Sequence, residues 1–423
     1  MTFPVRGVAA ARLGGPEAWL VWVLATTFVV WVFAIQTGYA VVSPEIQASA
    51  GLTLGHIGLA ASIYTWVFAL VQFFSGPLLD RFGSRPLLTI AVALVAVGAF
   101  LYAGTTTFAT LAIAQTVLAL GASFGFVGAG YIGGRWFPAA RYGLMFGLVQ
   151  AFASLGAAVG QPLVLAALDA VSWQQLLLGF AIFGVLLAAL FAFVVRDPRT
   201  GATDAAEPTS RGGVASGILG ELGRCFRNPM VSLAAVLAGA AFGTMLSIGT
   251  LWGPRIMEAR GADTAFATAL TATAWLGLAV GAPLITVISD RWGSRKWPAV
   301  TALIAEAVAI VLVIYLPLEG NGITVAVMFA VGLFSGAQML GFTIAAEAVG
   351  SALIGSASAI VNGVCFLLGG LLISVPSAVL PAAPQLEDYR AVLWLLPAVL
   401  VIGVMAALLL REPRRSSRGA ARS

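Results

Sequence analysis

The sequence predicts an all-α integral membrane protein of twelve transmembrane helices, arranged as two pseudo-symmetric halves of six. Three observations predict it. Of 423 residues, 60% are hydrophobic and 9% charged, a balance that cannot supply both a buried core and a water-facing surface. Apolar stretches of about 20 residues, the length of a spanning helix, recur along the chain. The hexapeptide Asp-Arg-Phe-Gly-Ser-Arg at 80–85 returns at 290–295 with only Phe82 exchanged for Trp292, so the chain reads as two copies of one half.

The first six spans are expected at 19–43, 55–79, 86–104, 108–134, 142–168 and 173–195, and the second six at 230–253, 264–289, 298–318, 322–347, 353–380 and 389–410. Strands of a transmembrane barrel would be shorter and alternating. The first run lacks a small-residue cleavage pattern behind it and reads as a retained helix. The organisation is then an N-terminal half (1–195), a linker (196–229), a C-terminal half (230–410) and a tail (411–423). Within the linker Val214, Ile218, Leu219, Leu222 and Phe226 share one helical face, with Glu221, Arg224 and Arg227 available to water. A short interfacial helix and a partly ordered tether both fit that pattern. The remaining loops are short and leave no room for a sizeable soluble domain.

Charge distribution gives the orientation. With the N-terminus in the cytoplasm, all of the 22 Arg and Lys except Arg255, Arg260 and Arg390 fall in cytoplasmic segments, as the positive-inside rule requires. The net charge of +5 is therefore topology and not a nucleic-acid surface. Both termini and the linker are expected in the cytoplasm, and a bacterial inner membrane is the default location. Cys225 in the linker and Cys365 in the eleventh span are not read as a disulfide. No nucleotide loop, metal-ligand cluster or nucleophile–base set is present, so an enzyme, a bound metal and a cofactor are not expected; a monomer is.

Each hexapeptide is a short basic hinge between two spans. Gly76-Pro77-Leu78-Leu79-Asp80-Arg81-Phe82-Gly83-Ser84-Arg85, repeated around Asp290, Arg291, Gly293 and Arg295, closely resembles the signature of the major facilitator superfamily between its second and third helices. Ser84 replaces one usual basic residue, and Thr286 and Ile288 stand where Gly76 and Leu78 do. The resemblance implies a transporter that opens alternately to either side of the membrane. It also implies that Asp80, aided by Arg81 or Arg85, meets the start of the eleventh helix near Gly350–Ser356 while the cytoplasmic side is closed, and that Asp290 meets the fifth helix near Arg141–Gly143. A carboxylate so placed is stabilised by a guanidinium and by a helix N-terminus. Arg135, Arg141 and Glu347 are expected as a further gate between the halves. The glycines at 147, 156 and 160 resemble the fifth-helix motif of superfamily antiporters, but Gln161 interrupts it, and the same segment resembles bacterial uptake members.

The resemblance places the solute between the halves. There the candidates for binding are Gln36, Tyr39, Gln150, Trp275, Gln338 and Asn362, near the midplane where such sites form. For each, an interhelical hydrogen bond is the competing reading, because amides and hydroxyls at this depth need partners. No Arg or Lys lies at depth, which argues against a multivalent anion and for a neutral or zwitterionic solute. Glu306 is the one carboxylate clearly at membrane depth and the candidate for proton coupling; a structural hydrogen bond is the alternative, since the ninth helix supports rather than lines. The leading expectation is uptake of a small polar solute, with the bilayer and protons as further partners. Efflux antiport, and a non-transporting receptor or assembly factor on the same fold, are the rivals.

Overall fold

The computed structural model describes residues 13–196, 214–316, 321–381 and 384–411. Twelve helical stretches among them are long and apolar enough to cross a membrane. The N-terminal half comprises α1 (Pro16–Ala50), α2 (Leu54–Phe82), α3 (Ser84–Ala103), α4 (Phe108–Ala122), α5 (Gly125–Trp136), α6 (Tyr142–Leu168) and α7 (Trp173–Val194). Helix α8 (Val214–Arg227) stands in the linker. The C-terminal half comprises α9 (Pro229–Ser247), α10 (Gly253–Ala259), α11 (Thr264–Trp292), α12 (Lys296–Tyr315), α13 (Asn321–Ser335), α14 (Gln338–Val349), α15 (Ile354–Val379), α16 (Leu386–Leu393) and α17 (Leu395–Leu409).

Local chemistry sets many of the helix ends. Reciprocal capping boxes start α2 at Thr53 and His56, α4 at Thr107 and Thr110, and α7 at Ser172 and Gln175. Asn228 caps α9, which has Pro229 in its first position, and Asp263 caps α11. Such side chains satisfy amides that have no partner within the helix. Gly83 and Gly293 turn the chain between α2 and α3 and after α11 with φ of +77° and +62°, a region that disfavours any residue with a Cβ. This is why both hexapeptides carry glycine at that place.

Several spans differ from the expected runs: the first helix continues to Ala50, and the twelfth span is interrupted at Trp394 between α16 and α17. The fourth and tenth are each interrupted near mid-length, at Ser123–Phe124 and at Gly336–Ala337. The seventh extends to Ala259 through a π-helical turn at Ile248–Trp252. Near the tenth-span interruption the backbones touch: a Cβ at Gly332 or Gly336 would collide with the backbone of α11. Small residues allow such approach where lipid supplies no hydrophobic drive between helices. On the outer helices α3, α7, α12 and α17, Phe100, Leu186, Val308 and Leu409 are exposed, an apolar surface suited to lipid.

Every described Arg and Lys except Arg255, Arg260 and Arg390 lies on the side of the molecule that carries α8, here the linker side. Arg260 and Arg390 sit together at the far end of α12, donating to the carbonyls of Ile314 and Tyr315 at 3.1–3.3 Å, where cations complement a helix C-terminus. Arg6, Arg12, Arg199, Arg211 and the tail beyond Arg411 lie outside the described residues.

Candidate functional site

On the linker side the two halves are fastened through Asp80. Its carboxylate accepts from the amides of Gly355 and Ser356 at 3.1 and 2.8 Å and from the Ser356 hydroxyl at 2.7 Å, so it lies on the N-terminal turn of α15. Backbone contact makes this reach possible: a Cβ on Gly76 would collide with the carbonyl of Gly355. Nearby Tyr142 of α6 and Ser358 of α15 share a hydrogen bond of 3.1 Å across the halves.

The neighbouring arginines do not pair with Asp80. Arg81 binds Glu221 of α8 at 2.9 Å, and Arg85 donates to the carbonyl of Ala192 at 2.9 and 2.6 Å, closing the C-terminal end of α7. Arg135, expected at this gate, lies over the Tyr131 ring at 5.4 Å.

The second hexapeptide does not repeat this arrangement, which corrects the expectation for Asp290. Asp290 pairs with Arg295 of its own loop and does not reach α6. Thr286, 210 positions after Gly76, stands near Gly143, and α11 still packs closely on α6, since a Cβ at Gly147 would press on the backbone of Ala282 and Pro283. Glu347 is likewise not a partner of Arg135 or Arg141; it binds Arg295 at 2.8 Å within the C-terminal half. Flanked by Glu347 and Asp290, the Arg295 guanidinium is held above its ordinary pKa despite the opposing effect of burial. Arg141 and Arg291 are exposed and form no salt bridge among the described residues.

Above this gate lies a central cavity lined by Val29, Val32, Phe33, Gln36, Phe68, Ala122, Gly125, Phe126, Gln150, Phe242, Asn362 and Phe366. Its volume is about 10 Å³, room for about one water, because aromatic rings fill the centre. Phe68 meets Phe366 at 4.6 Å, and Phe126, Phe146 and Phe342 form a triangle with sides of 4.7–5.6 Å. Phe33 meets Trp275 edge-on at 6.3 Å. Each set joins the two halves.

Three of the six expected binding residues, Gln36, Gln150 and Asn362, share this cavity. Gln150 donates to Ser154 at 3.0 Å, whereas the side-chain nitrogens of Asn362 and Gln338 are buried with no hydrogen-bond partner among the described residues. Gln338 opens α14 at the interruption of the tenth span, and Trp275 reaches the cavity wall through Phe33. Tyr39 is placed elsewhere: its hydroxyl donates to the carbonyl of Ile57 at 2.7 Å and its ring stacks on Tyr102 at 6.1 Å. The sequence pattern did not single out the phenylalanines, since in a chain this apolar nothing separates a cavity ring from a packing ring.

Glu306 is fully buried, and neither carboxylate oxygen has a hydrogen-bond partner among the described residues. It does not line the cavity. Its counterpart in the N-terminal half, 210 positions earlier, is Ala96, which packs with Gly184 and the Trp31 indole. In the C-terminal half Gly403 packs against Ala240 and Leu303. His56 serves as a cap of α2 and stacks on Phe108 at 4.9 Å.

Two sets of six spanning helices, joined by a linker and meeting around a central cavity, define a multi-pass membrane protein of the transporter type. The sequence profile of the Major Facilitator Superfamily matches residues 22–374, and the chain belongs to that family. It is 25% identical over 274 residues to the probable sulfoacetate transporter SauU of Cupriavidus necator, covering 60% of this chain and 61% of that protein. The hexuronate transporter of Bacillus subtilis is 25% identical over 289 residues, 65% of this chain and 67% of that protein. The chain thus spans about three-fifths of SauU's length. Among solved structures, the fucose:proton symporter FucP of Escherichia coli superposes with a TM-score of 0.70 at 17% identity, covering 92% of this chain and 99% of that one. The relatives are transporters, not enzymes.

Proposed function

We propose that this chain is a secondary transporter that moves a small polar solute through the central cavity by alternating access, in the direction of uptake. The observation that carries this reading is the Asp80 contact with Gly355 and Ser356: a partly buried carboxylate of one half bound to a helix N-terminus of the other, which must break if the linker side opens. The linker side is then cytoplasmic, in a bacterial inner membrane, with the positive-inside distribution as its support. Gln36, Gln150, Gln338 and Asn362 would hydrogen-bond the solute, with Trp275 and the phenyl rings closing on its apolar faces.

A neutral or zwitterionic solute fits a cavity whose lining is amides, rings and small apolar residues, with no charged side chain in it. A second reading, an organic acid, is favoured by two observations. The similar proteins are named for sulfoacetate and hexuronate, and the interrupted fourth span begins its second helix, α5, at Gly125 on the cavity wall, where a helix N-terminus favours negative charge. Uptake into proteoliposomes of radiolabelled neutral sugars, amino acids and monocarboxylates in parallel separates the two readings. Movement of none of these classes by correctly folded protein would refute transport of a small polar solute and return the receptor reading.

Coupling to protons is assigned in this reading to Glu306. Its support is full burial without a partner, in a half whose counterpart position holds alanine. Efflux antiport is the alternative direction, and the fifth-span glycines are the feature behind it.

A further inference from the structure

On the side opposite the linker, two guanidiniums meet on one carbonyl. Arg260, just past α10, donates through Nη2 to the Ile314 oxygen at 3.1 Å, and Arg390 of α16 donates through Nε to the same oxygen at 3.3 Å. Arg390 commits its other donors to Glu387 and to the Tyr315 carbonyl, at 2.7 and 3.2 Å. The Glu387 side chain is 78% exposed, so this pairing offsets little of the charge. Nε and Nη1 of Arg260 are buried with no hydrogen-bond partner among the described residues, and a charged donor held in that way is costly. Two residues before Ile314 a groove begins. It runs between α12 and α13 with a volume of about 450 Å³, from Leu312 and Ile323 at its outer end to Phe334 at its inner end, and alanines on both helices, among them Ala309 and Ala326, give it depth. Its lining is apolar, and Val308 and Ile323 on its walls are exposed. The eleven steps from Ile323 to Phe334 rise about 16 Å, close to half of a hydrocarbon core about 30 Å thick. Spread over that length, the volume gives a cross-section of about 28 Å², too narrow for a helix about 10 Å across and suited to a single hydrocarbon chain.

We propose that the Arg260–Arg390 pair and the groove between α12 and α13 form a binding site for an anionic phospholipid of the leaflet opposite the linker side, with the phosphate on the guanidiniums and one acyl chain lying in the groove down to Phe334. Arg260 as a whole is only partly buried, so its side chain can turn Nε and Nη1 toward the arriving phosphate, where a guanidinium forms strong charge-assisted bonds. The groove shares no residue with the lining of the central cavity, so the lipid site is separate from the proposed solute pathway.

The test titrates full-length protein in detergent with dioleoyl phosphatidylglycerol, with dioleoyl phosphatidylcholine and with inorganic phosphate, counting bound lipid by native mass spectrometry and following thermal unfolding in parallel. No solute is needed, so the result stands or falls separately from the transport reading. The first phosphatidylglycerol is expected to bind about tenfold more tightly than phosphatidylcholine, and phosphate alone to leave the unfolding temperature unchanged. Arg260→Gln is expected to remove that preference, a roughly tenfold loss in keeping with one charge-assisted hydrogen bond, whereas Arg260→Lys keeps the charge and is expected to retain part of it. Ala326→Phe, on an exposed position of the groove wall, is expected to weaken both lipids alike. Equal binding of the two lipids by the native protein, or a preference that survives Arg260→Gln, overturns the proposal. Unchanged lipid binding by Ala326→Phe overturns the assignment of the groove, and stabilisation by phosphate equal to that by phosphatidylglycerol makes this a free-anion site and overturns the lipid.

Discussion

Replacing Asp80 with asparagine tests the gate with the least change of shape. One Asp80 oxygen accepts from Gly355 and the other from the amide and hydroxyl of Ser356. Asparagine can keep the pair on Ser356 but then points an N–H group at the Gly355 amide, so a charge-assisted bond of about 1.5–3 kcal/mol is lost. The interaction of the charge with the α15 N-terminus, roughly 0.3–1 kcal/mol, goes with it. The neutral amide is easier to bury, which offsets part of this. A net penalty of about 2 kcal/mol on the closed linker side shifts the equilibrium toward opening by about thirtyfold. The assay is maleimide labelling of a cysteine placed at Ser358, buried in this gate, in protein lacking Cys225 and Cys365, together with uptake into vesicles. Labelling should accelerate by up to that factor while the transport cycle slows. Unchanged labelling and wild-type uptake in a normally expressed variant would refute the assignment of Asp80.

Gly76→Ala should weaken the same state by steric means, because its Cβ would overlap the Gly355 carbonyl; faster labelling at position 358 without a change in helical content checks it. For Glu306→Gln, solute exchange across vesicles is expected to persist while accumulation driven by an imposed pH gradient is lost, and undiminished accumulation would leave Glu306 a structural role. Asn362→Leu removes a buried donor at nearly constant volume and should lower apparent solute affinity about tenfold, read as a rise in the half-saturating concentration with little change in thermal stability. A cysteine at Ser216 should resist a membrane-impermeant reagent added outside intact cells; labelling there would reverse the topology.

The spans and the two-copy construction were legible because length, apolarity and a repeated hexapeptide are properties of the chain itself. The Asp80 contact was expected only through the resemblance to the superfamily signature; that glycine at 76 lets the backbones meet came from the structure. What the repeat concealed was its own asymmetry. Asp290 looks equivalent to Asp80 in the repeat, and only the placed side chains show it turned onto Arg295 of its own loop. Glu347 was misassigned for a related reason: charge and position on a span do not say which of several nearby arginines a side chain faces, and Arg295 lies in its own half. The inward turn of Glu221 was hidden because a helical wheel has no information about where Arg81 arrives.

The near absence of open volume at the centre has a consequence for the cell as an electrical device. A membrane that stores energy as an ion gradient is discharged by any continuous file of water, and a carrier with a permanent hole between its halves would act as a shunt. Here Phe33, Phe68, Phe126, Phe242 and Phe366 line a cavity of about 10 Å³, and under the proposed function a solute makes its own room there by displacing rings. In this conformation the rings, rather than a separate plug, close the path between the halves.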